Sequence, residues 1–161
     1  MQTIALFISS ILLLIQVDLS SVRAQFQASE QSQEHTLKLV NTLKDYKGTN
    51  AVLLAYQGAS IAMQAKFETE RKTKKTLFIE GVKILEKAVQ TAPKDVEIRL
   101  IRLIIQENTP KILKYKSNIE EDKKMIVSNY SSQSAVVKKE ISTYAKRSKL
   151  FTAAELRTVT K

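Results

Sequence analysis

Cysteine and tryptophan are absent from the 161 residues, and histidine occurs once. Without thiols there are no disulfides, no thiolate nucleophile and no thiolate metal site. His35 stands alone in a polar N-terminal stretch, which leaves a histidine zinc site or Ser–His catalysis nothing to be built from. No phosphate-cradling glycine-rich loop, G-x-S-x-G or H-E-x-x-H occurs. The expectation is a non-enzyme with no cofactor and no metal. Glycine and proline are also scarce, at three and two residues, and no segment alternates apolar and polar residues long enough to be a strand. The fold class is all-α, with six or seven helices in one antiparallel array.

Acidic residues are the next shortage: 16 against 26 Lys and Arg, a net charge of +10. In an intracellular protein such an excess suggests nucleic acid. In an exported one it serves solubility first, and otherwise suits anionic lipid head groups, acidic polysaccharide or an acidic partner protein; nucleic acid is not expected. Export is the reading of the N-terminus. Residues 4–15 are an apolar run, too short to span a bilayer, which needs about 20 residues. Val22 and Ala24 occupy the positions that signal peptidase reads, so residues 1–24 read as a signal peptide and the mature chain begins at Gln25, in the periplasm or outside the cell. No basic residue precedes the run, which keeps a retained anchor as the alternative.

Residues 25–161 then form one helical domain, with 25–32 frayed, a core over 51–130 and basic helices over 135–160. The centre is the segment following Asp95. Val96, Ile98, Leu100, Ile101, Leu103, Ile104 and Ile105 leave only a narrow polar stripe along Asp95, Arg99, Arg102 and Gln106. A helix apolar on nearly every side is covered on nearly every side. Before it, a helix over 33–47 carries Leu39, Val40, Leu43 and Tyr46, with Gly48 in the left-handed conformation as its stop. A helix over 51–67 carries a ridge of small residues including Ala55, Gly58 and Ala62, which predicts a tight antiparallel neighbour. Residues 68–75 either extend that helix or form a solvated loop. A helix over 76–91 buries Phe78, Gly81, Leu85 and Ala88, faces Glu86 outward and ends at Pro93.

After the central helix, Pro110 starts a short turn, and a capping box at Ser117 opens a helix carrying Ile119 and Ile126. The acids Glu120, Glu121 and Asp122 in its first turn fit the helix dipole. A helix over 135–149 has a basic outer surface. The last helix starts at Thr152 and Glu155, a capping box flanked by the Phe151–Leu156 staple.

The series Gly81, Leu85, Ala88, Pro93 resembles the second helix of a tetratricopeptide repeat, with Tyr56 and Gly58 near the pattern of its first; residues 68–75 are an insertion relative to it. Over about 51–126 the chain also resembles a family of uncharacterised exported helical proteins of Bacteroidetes. The residues that carry this likeness are Ala92, Pro93, Asp95, Glu97, Arg99 and Arg102, then Pro110, Tyr115, Asn118, Ile119, Asp122 and Lys123. The resemblance implies a helical fold and an exported location, and no activity.

Two groups hold candidate site residues. Glu97, Arg99 and Arg102 lie on the central helix, where two largely buried arginines need partners. Glu80, Glu97 and the acids at 120–122 are the candidates for internal pairs, and a carboxylate or phosphate pocket is the alternative. Arg71, Lys72, Lys74 and Lys75 form a charge run suited to a solvated face or an interaction surface. The favoured function is a non-catalytic binding or scaffold domain for another protein of the bacterial envelope. The alternatives are a small-ligand receptor or enzyme using Arg99 and Arg102, or contact of the basic C-terminal helices with an anionic membrane.

Overall fold

A computed structural model describes residues 17–160, so the apolar run at 4–15 lies outside the described residues. Those described form eight α-helices and three short 3-10 turns, with no strand. The all-α class holds. The eighth helix comes from the N-terminus.

That helix, α1 (Leu19–Ser29), is capped by Asp18, whose carboxylate accepts from the Ser20 and Ser21 amides. It corrects the expectation of a frayed segment at 25–32. Val22 and Phe26, one turn apart, are buried in the core, and the Phe26 ring meets Tyr56 edge-on at 5.1 Å. A cut after Ala24 passes through the middle of this helix.

The second helix, α2 (Gln33–Leu43), stops short of the expected end; Tyr46 N donates to Leu43 O as the chain turns away. Gly48 is not in the left-handed region. It is small because the Tyr46 ring lies against it, and the Tyr46 hydroxyl accepts from the Asn50 amide. Asn50 then caps α3 (Ala51–Gln64), which runs into a 3-10 turn at Ala65–Phe67.

The fourth helix, α4 (Arg71–Thr91), starts five residues earlier than the apolar pattern indicates, because the Glu70 carboxylate accepts from the Lys72 and Thr73 amides. Residues 71–75 are therefore helix rather than loop. Helices α3 and α4 make the most extensive contact in the fold. Gly58 faces Leu85 while Ala62 faces Gly81, so the two run antiparallel, as the small-residue ridge predicts. A Cβ on Gly58 would stand 2.5 Å from Leu85 N and 2.6 Å from Gly81 O. Both are backbone atoms, which have nowhere to move.

Asp95 caps α5 (Val96–Asn108), which is buried from Val96 through Gln106, its polar stripe included. Pro110 precedes a 3-10 turn at Lys111–Leu113 that ends on Lys114 in the left-handed region, φ 51°. The sixth helix, α6 (Ile119–Asn129), follows Asn118 without the expected capping box: the Ser117 hydroxyl bonds to Asn118 Oδ1 instead, and the Asn118 amide donates to Gln106 Oε1. Then come α7 (Ala135–Ala145) and α8 (Ala153–Val159), the last opened by the expected Thr152–Glu155 capping box over a buried Phe151. The apolar face of α7, Val137, Ile141, Tyr144 and Ala145, is spent in the core.

Gly58→Ala is expected to force α3 and α4 apart and to lower stability by about 1–3 kcal/mol, the usual range for overpacking. Thermal melting checks this; an unchanged melting temperature would mean that the two backbones do not touch.

Candidate functional site

Positions 99, 102 and 106 are spaced by three and four, so their side chains leave one face of α5 together. All three meet the same group on α6. The Asp122 carboxylate is 0% exposed and accepts four donors: Arg102 Nε at 2.7 Å and Nη2 at 2.6 Å, Arg99 Nη1 at 3.0 Å and Gln106 Nε2 at 2.9 Å. Arg99 and Arg102 are themselves only 6% and 3% exposed. Arg99 spends its other donors on Glu121, at 2.8 Å, and on Pro93 O, at 2.7 and 3.0 Å. Arg102 Nη1 donates to Glu86 at 2.9 Å. Burial opposes the charge of Arg102, but Asp122 and Glu86 outweigh it and hold the guanidinium protonated above its ordinary range. Hydrogen bonds from Asn118 and from Arg99 keep Glu121 below the usual carboxylate range.

Glu97 belongs to a different cluster, because two residues along a helix is about half a turn. It receives Arg23 Nε and Nη2, each at 2.7 Å, and the Tyr56 hydroxyl at 2.8 Å. Its carboxylate lifts the Arg23 guanidinium above its usual range. Burial, with Glu97 beside it, pushes the Tyr56 phenol up.

The same pairing recurs twice. Tyr115 donates to Glu86, and Tyr144 donates to Glu107, which also accepts from the Ser148 hydroxyl and the Lys149 amide. Burial raises both phenols, and the carboxylates add to it. Glu107 thereby ties α5 to the end of α7. Lys123, another largely buried charge, reaches Glu120 at 3.0 Å and the Leu150 carbonyl at 3.1 Å, joining α6 to the start of the last helix.

The internal-pair reading of Arg99 and Arg102 is therefore the one the geometry supports, with the partners corrected. Glu97 pairs with Arg23 and Glu80 with neither arginine, while Glu86, expected on the outer face, is half-buried and essential to Arg102. Among the described residues every buried side-chain nitrogen and oxygen has a hydrogen-bond partner. Among the described residues neither Arg99 nor Arg102 lines the two cavities found, and both guanidinium groups are committed to internal acceptors. Nor do the described residues contain a group of His, Asp or Glu able to hold a metal.

What the structure leaves open lies elsewhere. Arg71, Lys72, Lys74 and Lys75 are exposed on the first turns of α4 and form no ion pair among the described residues. Beside them a cavity of about 340 Å³ opens between α3, α4 and the C-terminal end of α5. Nothing in the sequence pattern signals it, since its apolar wall residues on α3, α4 and α5 each read separately as core.

Replacing Arg99 or Arg102 by Ala leaves buried carboxylate charge uncompensated and is expected to cost about 3–5 kcal/mol. The exposed Arg71 and Arg157 serve as controls, with changes within about 0.5 kcal/mol. Thermal or urea melts of the four variants check this; equal melting across the set would show the inner arginines to be solvated. Set against known proteins, the chain matches no family model, and no curated protein or solved structure is significantly similar to it.

Proposed function

We propose that this chain is an exported, non-catalytic binding or scaffold domain that docks an acidic protein of the bacterial envelope through the start of α4. The observation that carries the reading is where its free charge lies. The cations at 71, 72, 74 and 75 crowd the positive end of a 21-residue helix that has no acid in its first turn. The helix dipole favours the opposite sign there. Four cations that work against their own helix outnumber the nearby Glu68 and Glu70 and leave a net positive potential there, which an external anion would relieve. Among the described residues the buried charged groups are engaged with one another, so the charge free to meet a partner lies on the surface.

The close packing of Gly58 on Gly81 and the turn at Pro93 suit a tetratricopeptide-like helix pair, an architecture used for protein docking. The likeness to exported helical proteins of Bacteroidetes agrees with the N-terminal apolar run. Because Val22 and Arg23 are built into the domain, processing in this reading falls before Asp18 or does not occur, and α1 stays with the mature protein.

The test is capture of partners from envelope extract by the parent chain and by a variant carrying Arg71→Glu, Lys72→Glu and Lys75→Glu. Reversal places acids at a helix N-terminus, so the variant should melt no lower than the parent. A defined acidic protein retained by the parent, lost with the variant and eluted by salt is the expected result. Equal capture by both, or none by either, would remove the reading. Mass spectrometry of the chain from its host is expected to find α1 intact.

A further inference from the structure

The cavity beside α4 is built differently from the charged interior. Its walls are apolar: Ala62 and Met63 of α3, Phe78 of α4, Ile104 and Ile105 of α5, and Leu113 of the turn beyond. At about 340 Å³ it falls within the roughly 300–1,000 Å³ of small-molecule sites. The polar groups on its lining are nearly all spoken for. Ser29 Oγ bonds to Phe26 O, Asn108 Nδ2 to Ile104 O, and Thr109 Oγ1 to Ile105 O. Glu30, the one acid there, is held by both terminal nitrogens of Arg147. Two charged groups remain, Lys66 and Lys74, both exposed and in no ion pair among the described residues.

The Lys66 ammonium lies over the Phe67 ring at 5.6 Å and neither lysine has an anionic partner among the described residues, so the chamber selects an occupant with an apolar body and an anionic end. A compact anion meets the two lysines but leaves the apolar wall unfilled, and an apolar molecule without charge leaves both lysines unused. The turn at Lys111–Leu113 bears on entry. Pro110 and Leu113 line the cavity, and between them Ile112 is 86% exposed, the most exposed of the large apolar side chains described. The left-handed Lys114 closes this turn, a conformation a lysine seldom adopts. An apolar residue thus stands in water on the turn that gives Pro110 and Leu113 to the chamber wall. Met63 in the wall has the unbranched, adaptable side chain suited to a flexible chain.

We infer that this cavity is a binding site for a single-chain anionic amphiphile, the chain lying between Met63, Phe78, Ile104 and Leu113 and the anionic head meeting Lys66 and Lys74. The site shares Lys74 with the protein-docking surface, but Arg71, Lys72 and Lys75 do not line it, so the reversal of those three tests docking without altering the cavity wall.

Isothermal titration of the full chain with dodecanoate, below its micelle concentration, tests the site. One saturable equivalent is expected. Dodecyltrimethylammonium, of equal chain length and opposite charge, is expected to bind at least tenfold more weakly, as is dodecanol, and acetate not at all. Lys66→Glu with Lys74→Glu should weaken dodecanoate at least tenfold with an unchanged melting temperature, both residues being exposed. Leu113→Trp, at the half-exposed rim, should block binding without unfolding. Three results would overturn the site: the cationic amphiphile binding as tightly, the double lysine variant binding as the parent does, or no saturable binding. The last would leave the cavity to an apolar side chain of a partner protein. Binding to phosphatidylglycerol vesicles without binding of free dodecanoate would also overturn it and assign the lysines to a membrane surface.

Discussion

One carboxylate holds the two central helices in register. Asp122 has no contact with solvent and takes every one of its hydrogen bonds from a single face of α5. Removing two guanidinium groups and a carboxylate from water is expensive, and the attraction between them offsets that only when the geometry is good and the leftover donors are met. Here they are met: Arg99 turns its remaining nitrogens to Pro93 O and Glu121, and Arg102 its last to Glu86. The ion pairs therefore tie α5 at once to α6, to α4 and to the turn between α4 and α5. A slide of one helix by a turn would leave several buried charges unmatched, whereas a purely apolar contact would tolerate it. Register, more than net stability, is what such a cluster supplies.

Around this centre the same solution is repeated with tyrosine. Tyr56, Tyr115 and Tyr144 each bring a hydroxyl to a glutamate that also serves a second element, so that Glu97 connects α5 to α1 and α3, and Glu107 connects it to α7. The chain has many charges for its core, yet nearly all of those inside are matched. This bears directly on function. With the interior self-satisfied, the free chemistry is displaced outward, to the cations at the start of α4 and the two lysines beside the apolar cavity.

The parts of this that the sequence exposes are those with a local or periodic cause. The continuous apolar run of α5, the stop at Pro93, the small ridge at Gly58 and the capping box at Thr152 each follow from residues within a turn or two of one another. The need of Arg99 and Arg102 for partners is legible too, because a charge on a buried face must be answered. Which acids answer is not legible. Asp122 reads as a dipole-favoured residue of a first turn, and its real role depends on how α6 is placed against α5 from 20 residues away. Glu86 reads as surface because only the return of Tyr115 and Arg102 covers it. The helix α1 is hidden for a different reason. Its polar face and small residues, following an apolar run, match the pattern of a leader peptide, and only Glu97, 74 positions later, gives Arg23 its place.

The most direct measurement is hydrogen exchange at the arginine Nε–H groups, followed by NMR in uniformly labelled protein. The Arg102 Nε–H, bonded to the buried Asp122 carboxylate, should exchange only through large-scale unfolding and should therefore track the slowest backbone amides of α5. The Arg71 Nε–H, on the surface, should exchange freely. If Arg102 exchanges as fast as Arg71, the Asp122 cluster is open to solvent and does not hold the helices in register.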